Sequence, residues 1–191
     1  MDLILIRHPR TVAPPGTCYG ATDVAADPEC LAEAASRLAS LIPADARLIA
    51  SPQRRALDLA RRFGEPTIEP RLVELDFGAW ENRLWSDLPR EEIDGWAADF
   101  LDYAAPGGES VRQMAGRVLG WWDEARETGG SIVVVTHGGP CRVLAAHLTG
   151  APLENANRFE IGWGRYARFR IAQGIPQLRA WNLADPITRS A

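Results

Sequence analysis

Residues 132–135 read Ile-Val-Val-Val and are followed by Thr136-His137-Gly138-Gly139. An unbroken β-branched apolar run without polar alternation is the pattern of a strand covered on both faces. Two other apolar runs also lack polar alternation, Leu3–Ile6 ahead of Arg7-His8-Pro9 and the shorter Leu48-Ile49-Ala50 ahead of Ser51-Pro52. Pro9 cannot donate to a central ladder, so the first strand stops there. Asp27-Pro28 reads as a helix start, with Leu31, Ala34, Ala35, Leu38 and Leu41 at helical spacing and Pro43 as the stop. Ser51-Pro52 repeats that signature and predicts a helix to Phe63. Further helices are predicted over 109–127 and 141–148, with a short strand within 67–72 and weaker ones around 165–171 and 177–183. Residues 9–28 read as a long ordered loop. Strands that alternate with helices predict one α/β domain over 1–191, a three-layer α/β/α sandwich with a mostly parallel central sheet. Segment 76–108, which is irregular to helical and carries Trp80, Trp85 and Trp96, reads as a small cap inserted in it.

Open α/β sheets bind ligands beyond the carboxyl ends of their strands. Three polar clusters fall at such ends here: Arg7-His8, Ser51 to Arg55, and Thr136 to Gly139. The last two also open helices, whose N-terminal amides favour anions. Imidazoles beside guanidiniums, whose planar forks suit phosphate oxygens, point to phosphoryl chemistry without a metal. The three histidines, His8, His137 and His147, and the three cysteines, Cys18, Cys30 and Cys141, form no metal-binding spacing. An odd number of widely spaced cysteines fits a reducing compartment, and MDLILIRHP is too short an apolar run for a signal peptide or membrane span. A cytoplasmic protein is expected. The net charge of −4 gives no support to nucleic-acid or membrane binding. At 46% apolar and 24% charged residues, the composition excludes overall disorder and a disulfide scaffold.

Four ordered motifs carry a resemblance. Arg7-His8-Pro9 with Thr11, Ser51-Pro52-Gln53-Arg54-Arg55-Ala56, Leu72 to Glu81 around Glu74, and Thr136-His137-Gly138-Gly139 together resemble the histidine phosphatases, the superfamily that includes the cofactor-dependent phosphoglycerate mutases. Gly16-Thr17-Cys18-Tyr19-Gly20, Thr22-Asp23-Val24 and Pro106 to Ser110 resemble the alpha-ribazole phosphatase-like branch. The resemblance implies a phosphoglycerate mutase-like fold and hydrolysis of a phosphomonoester through a phosphohistidine, with no cofactor and no metal. His8 is then the nucleophile, Arg7 and Arg55 hold the phosphoryl group, and His137 donates to it. Glu74 is the proton donor and later the base, with Asp76 as its rival. Gly138, Thr11, Tyr19 and Trp80 join Arg7, Arg55 and His137 as substrate-binding candidates.

The partner implied is a small phosphorylated metabolite, with phosphate or sulfate able to occupy the same pocket. Alpha-ribazole 5′-phosphate, a precursor of the cobalamin lower ligand, is one candidate. A broad sugar-phosphate or nucleotide phosphatase, a phosphoglycerate mutase and an inactive interaction protein that keeps the fold stay open beside it. The oligomeric state is open too, a homodimer among the options. Two departures matter: Pro9 stands where the family has glycine, which removes one amide, and Pro14 stands near the mutases' asparagine. Arg54, next to Arg55, reads as a solvated arginine. His147, Cys18 and Cys141 read as packing residues, and Glu81 as a structural or surface residue.

Overall fold

The computed structural model describes residues 1–186. Six strands form one sheet in the order β3-β2-β4-β1-β5-β6. β1 (Asp2–Arg7), β2 (Arg47–Ala50), β3 (Thr67–Ile68) and β4 (Ile132–Thr136) run parallel, whereas β5 (Tyr166–Ala172) and β6 (Ile175–Leu183) complete the sheet antiparallel. β4 lies between β2 and β1, and all five of its residues are buried, as its unbroken apolar run requires.

Side chains of successive strand residues enter opposite cores. Leu3, Leu5, Ile132 and Val134 pack against α4 (Val111–Glu127) and α5 (Gly138–Thr149). Ile4, Ile6, Val133 and Val135 pack against α1 (Pro28–Leu38) and α2 (Arg54–Ala60). The result is the three-layer α/β/α sandwich that the alternation of elements predicts. Asp27 caps α1 by accepting from the Glu29 and Cys30 amides, with Pro28 in the first turn. Ser110 and Gln113 form a reciprocal capping box at α4. Gly150, at φ 70°, ends α5 in the left-handed conformation that glycine adopts without cost.

Two local expectations are corrected. Ser51 does not cap α2: the helix begins at Arg54 after Gln53 and ends at Ala60, short of Phe63. The Ser51 hydroxyl is drawn away by a ring nitrogen of His137 at 2.7 Å. α5 begins at Gly138 rather than residue 141, because Pro140 sits in its first turn, where no intrahelical amide is needed.

Residues 76–108 comprise two short 3-10 turns and α3 (Arg90–Ala98). They bring a separate apolar cluster in which Trp80, Leu88 and Ala105 pack with Cys18, flanked by Phe77, Trp85, Trp96 and Tyr103. This cluster stands beyond the carboxyl ends of the parallel strands, over the cavity into which Arg7, His8 and Gly138 project. Among the described residues no helix is long and apolar enough to cross a membrane.

Candidate active site

A cavity of about 540 Å³ opens at those strand ends. Its floor is made by Arg7, His8, Arg55, Glu74, Gly138 and Gly139. β1 delivers Arg7 and His8. The His8 amide donates to the Thr136 carbonyl of β4, and its own carbonyl accepts from Gly164, so the backbone is fixed on both sides.

His8 is 2% exposed. Its Nδ1 lies 2.6 Å from the Pro9 carbonyl oxygen and donates to it, which leaves Nε2 as the nitrogen with a lone pair. Pro9 thus lacks an amide but still supplies the carbonyl that sets the tautomer. Burial, with the nearby Arg55 and Arg7 guanidiniums, holds the His8 pKa well below the ordinary histidine range. His8 is therefore a neutral imidazole at pH 7. The ring of His137 lies 5.1 Å away, centroid to centroid.

His137 is fully buried, and both its ring nitrogens are engaged. Arg55 Nε donates to Nδ1 at 3.2 Å, and Nε2 donates to Ser51 Oγ at 2.7 Å. Burial first, then Arg55, keeps its pKa well below the usual value. Arg55, also fully buried, donates in addition to the Thr22 and Gly20 carbonyls at 2.8 and 2.6 Å and stacks over Tyr19. Arg7 donates to the Ile161 carbonyl at 2.6 Å and lies 5.3 Å from the Trp163 ring centroid, while its buried Nε has no partner.

Glu74 reaches the floor, and its carboxylate accepts from the Leu75 amide and from Gly139 at 3.0 and 3.2 Å. Asp76 turns away and accepts from the Gly78 amide instead. An added Cβ at Gly139 would stand 2.3 Å from Glu74 Oε1, whereas at Gly138 it would make only ordinary contacts with Arg7 and Glu74. The glycine that close approach demands is thus Gly139, not Gly138. Both helix N-termini are occupied by the protein's own carboxylates: Glu74 on the Gly139 amide, and Asp23 on the Arg54 amide at 2.7 Å. Neither of these amides is free for phosphate.

Two expected residues are placed differently. Thr11 does not line the cavity; its hydroxyl donates to Tyr19 Oη at 3.0 Å, and Tyr19 is the one at the surface. Trp80 is fully buried behind Phe77 and Trp85, with Nε1 bonded to Glu92, so the wall is formed by Phe77, Trp85, Trp96 and Phe100. Cys141 packs in the core as expected, and burial pushes its thiol up to about 12. Cys18 is likewise buried and pushed up to about 12. Asp76, Arg54 and His147 lie outside the cavity lining, the last two exposed.

Other residues of the site have no periodicity to reveal them. Gln53 donates to the Gly20 and Ala21 carbonyls and accepts from the Glu74 amide, and so joins the 20–22 loop to the acid. Glu81 accepts from the amides of Gly20, Ala21, Thr22 and Phe77. Burial pushes its carboxyl up, but these bonds together hold it below the usual range. Trp163 and Arg142 also line the cavity. Among the described residues no group of three or more His, Cys, Asp or Glu is placed to hold a metal ion.

Residues 3–184 match the histidine phosphatase superfamily (branch 1). The chain is 31% identical over 120 residues to the adenosylcobalamin/alpha-ribazole phosphatase of Escherichia coli, a match that spans 60% of this chain and 59% of that enzyme. It is 30% identical over 173 residues to the glucosyl-3-phosphoglycerate phosphatase of Mycolicibacterium vanbaalenii, with 73% and 75% of the two chains covered. The crystal structure of the alpha-ribazole phosphatase from Shigella flexneri superposes over 100% of both chains with a TM-score of 0.89 at 26% identity.

Proposed function

The chain belongs to the histidine phosphatase superfamily, branch 1, and from that premise we propose that it hydrolyses a small phosphomonoester in two in-line transfers, with His8 as the nucleophile. The observation that carries this reading is the state of His8: a neutral ring, with its proton fixed on Nδ1 by Pro9 and its Nε2 lone pair left for phosphorus, in a cavity lined by Arg7 and Arg55. In the first transfer a bond forms from Nε2 to phosphorus and the ester P–O bond breaks. Glu74, entering as the carboxylic acid, gives its proton to the leaving oxygen. In the second, the Glu74 carboxylate takes a proton from water, whose oxygen attacks phosphorus. The N–P bond then breaks and returns its electron pair to His8.

Arg7 and Arg55 neutralise the phosphoryl oxygens, the contribution a metal would otherwise make. For His137 to donate to the phosphoryl group, Arg55 must turn aside and Nδ1 must take up a proton. The approaching dianion favours that doubly protonated ring, while Nε2–H stays on Ser51. Segment 76–108 acts as the cap that receives the leaving group. Its apolar wall of Phe77, Trp85, Trp96 and Phe100 offers ring faces and edges that suit a leaving group with an aromatic ring. The names of the Escherichia coli and Shigella flexneri relatives bring alpha-ribazole 5′-phosphate forward as the first such ester to assay.

Acid-labile phosphate on His8 in rapidly quenched enzyme, abolition of turnover in His8→Ala by roughly 10⁴-fold or more, and full activity in the presence of a chelator are the expected results. Substantial turnover by His8→Ala sinks the mechanism.

A further inference from the structure

The cavity holds one more cation than the phosphoryl group needs. Arg7 and Arg55 match the two charges of a phosphate dianion, and Glu74 serves the leaving oxygen. Arg142 is left over. It lines the same cavity, yet its Nε is buried without a hydrogen-bond partner, and no carboxylate or carbonyl among the described residues pairs with its guanidinium. Two other inward arginines are satisfied: Arg117 is paired with Glu109 and donates to the Arg71, Val73 and Glu74 carbonyls, and Arg55 has three acceptors; Arg7 shares an unpartnered Nε but donates to the Ile161 carbonyl. Arg142 disfavours the charge on Arg7, and Glu74 outweighs that repulsion from the floor without pairing with Arg142 itself.

Its place in the fold says what it faces. Arg142 is four residues beyond Gly138 on α5, on the same helix face and about one turn, roughly 5.4 Å, farther from the phosphoryl floor. The same cavity is lined by its chain neighbour Val143, by Ala156 and Asn157, and by the aromatic residues Phe77, Trp85, Trp96 and Phe100. A half-buried guanidinium beside an apolar wall interacts more strongly with an anion than it would in open water.

We propose that Arg142 is a specificity-determining residue that binds a second anionic group, a carboxylate or a second phosphate, carried by the leaving group a few bonds from the ester oxygen. This rests on the reading of the cavity as a phosphomonoesterase site, and it narrows the substrate class to esters with an apolar or aromatic body and an anion beyond it. The alpha-ribazole leaving group has the body but not the anion. Such an ester should therefore trail an anionic aryl phosphate of similar size.

The test compares 3-carboxyphenyl phosphate with 3-carbamoylphenyl phosphate, which have nearly the same shape and differ in one charge. In wild-type enzyme kcat/KM should favour the carboxylate by about 10-fold or more, and added salt should reduce the preference. In Arg142→Met the ratio should fall to about 2 or less, and in Arg142→Lys it should lie between. A wild-type ratio near one overturns the proposal without need of any variant, as does a preference that survives Arg142→Met. If wild-type enzyme hydrolyses neither ester, nor phenyl phosphate, the phosphomonoesterase reading falls and takes this one with it. Turnover of both esters without preference removes only the role of Arg142.

Discussion

At and beneath the floor of the cavity the key polar groups are held by hydrogen bonds: His8 by the Pro9 carbonyl, His137 by Arg55 and Ser51, Glu74 by the Gly139 amide. The wall opposite is built from ring contacts. Phe77 meets Trp85 edge-on at 5.3 Å, and Trp85 stacks on Trp96 at 5.9 Å. The floor stands on the ends of buried strands, where a shift of one side chain changes a proton's position. The wall comes from short turns and α3, where ring packing tolerates small adjustments of shape. The difference teaches how the proposed reaction divides between the two regions, with the chemistry assigned to the floor and the leaving group to the wall. Glu81 and Gln53 tie them together through the 20–22 loop.

The strongest way to break this division is at Arg55. Arg55→Ala should lower kcat/KM by about 10²-fold or more. It should also lower the denaturant midpoint, because it leaves His137 Nδ1 without its donor, a buried polar group left unpaired costing about 1–3 kcal/mol, whereas the Thr22 and Gly20 carbonyls keep the Val24 amide and Gln53. Arg54→Ala, which removes an exposed side chain, should do neither. Equal losses in the two variants would place both arginines on the floor.

Glu74→Gln tests the floor's chemistry alone. Phosphorylation of His8 by an alkyl phosphate, whose leaving group is strongly basic, should slow by about 10²-fold or more. With p-nitrophenyl phosphate, whose leaving group needs no proton, the loss should be much smaller. Single-turnover measurements isolate this step from the later use of Glu74 as base. A selective loss in Asp76→Asn instead would transfer the role to Asp76, against the direction in which that side chain points.

The wall should separate into two classes of tryptophan. Trp85→Ala should raise KM for an aromatic ester by about 10-fold and leave an alkyl ester nearly unaffected, the scale of losing one ring contact. Trp80→Ala should cost about 3–5 kcal/mol of stability instead, since that ring is fully buried behind the lining. A pure KM effect from Trp80 would put it at the surface of the cavity after all.

The smallest effect is a pH dependence that only the floor should show. His8 and His137 stay neutral in the folded protein well below the ordinary histidine range, because of burial and then Arg55. Below pH about 6.5 the unfolded chain takes up protons that the folded one does not. Stability from these groups is therefore complete above that pH and falls as the pH drops, by up to about 1.4 kcal/mol per pH unit for each ring. Denaturant titrations between pH 7.5 and pH 5 should show this slope, and His137→Ala should flatten it. A slope unchanged in that variant would mean that the ring is not buried neutral.

The strands were legible because buried parallel strands carry no alternation, and Ile132 to Val135 has none. The first helix start was legible because Asp27-Pro28 satisfies local amides through local atoms. His8, Arg7, Arg55 and Glu74 were found by motif, at strand ends where a sheet of this kind gathers ligands. What escaped was every feature that depends on a distant partner. Ser51 has the residue type and setting of a helix cap, yet its hydroxyl serves a ring 86 positions away. Glu81 sits among turns without periodicity, and the amide of Gly20 that it accepts lies 61 positions earlier. Trp80 and Trp85 are both tryptophans on one segment, and only the packing of Phe77, Trp96 and Tyr103 decides which is buried and which meets the ligand. The sequence by itself determined the buried parallel strands and which polar residues stand at their ends, since both follow from patterns along the chain. The tertiary structure alone decided protonation, loop anchorage and the lining of the wall, since each depends on which atoms the fold brings within a few ångströms.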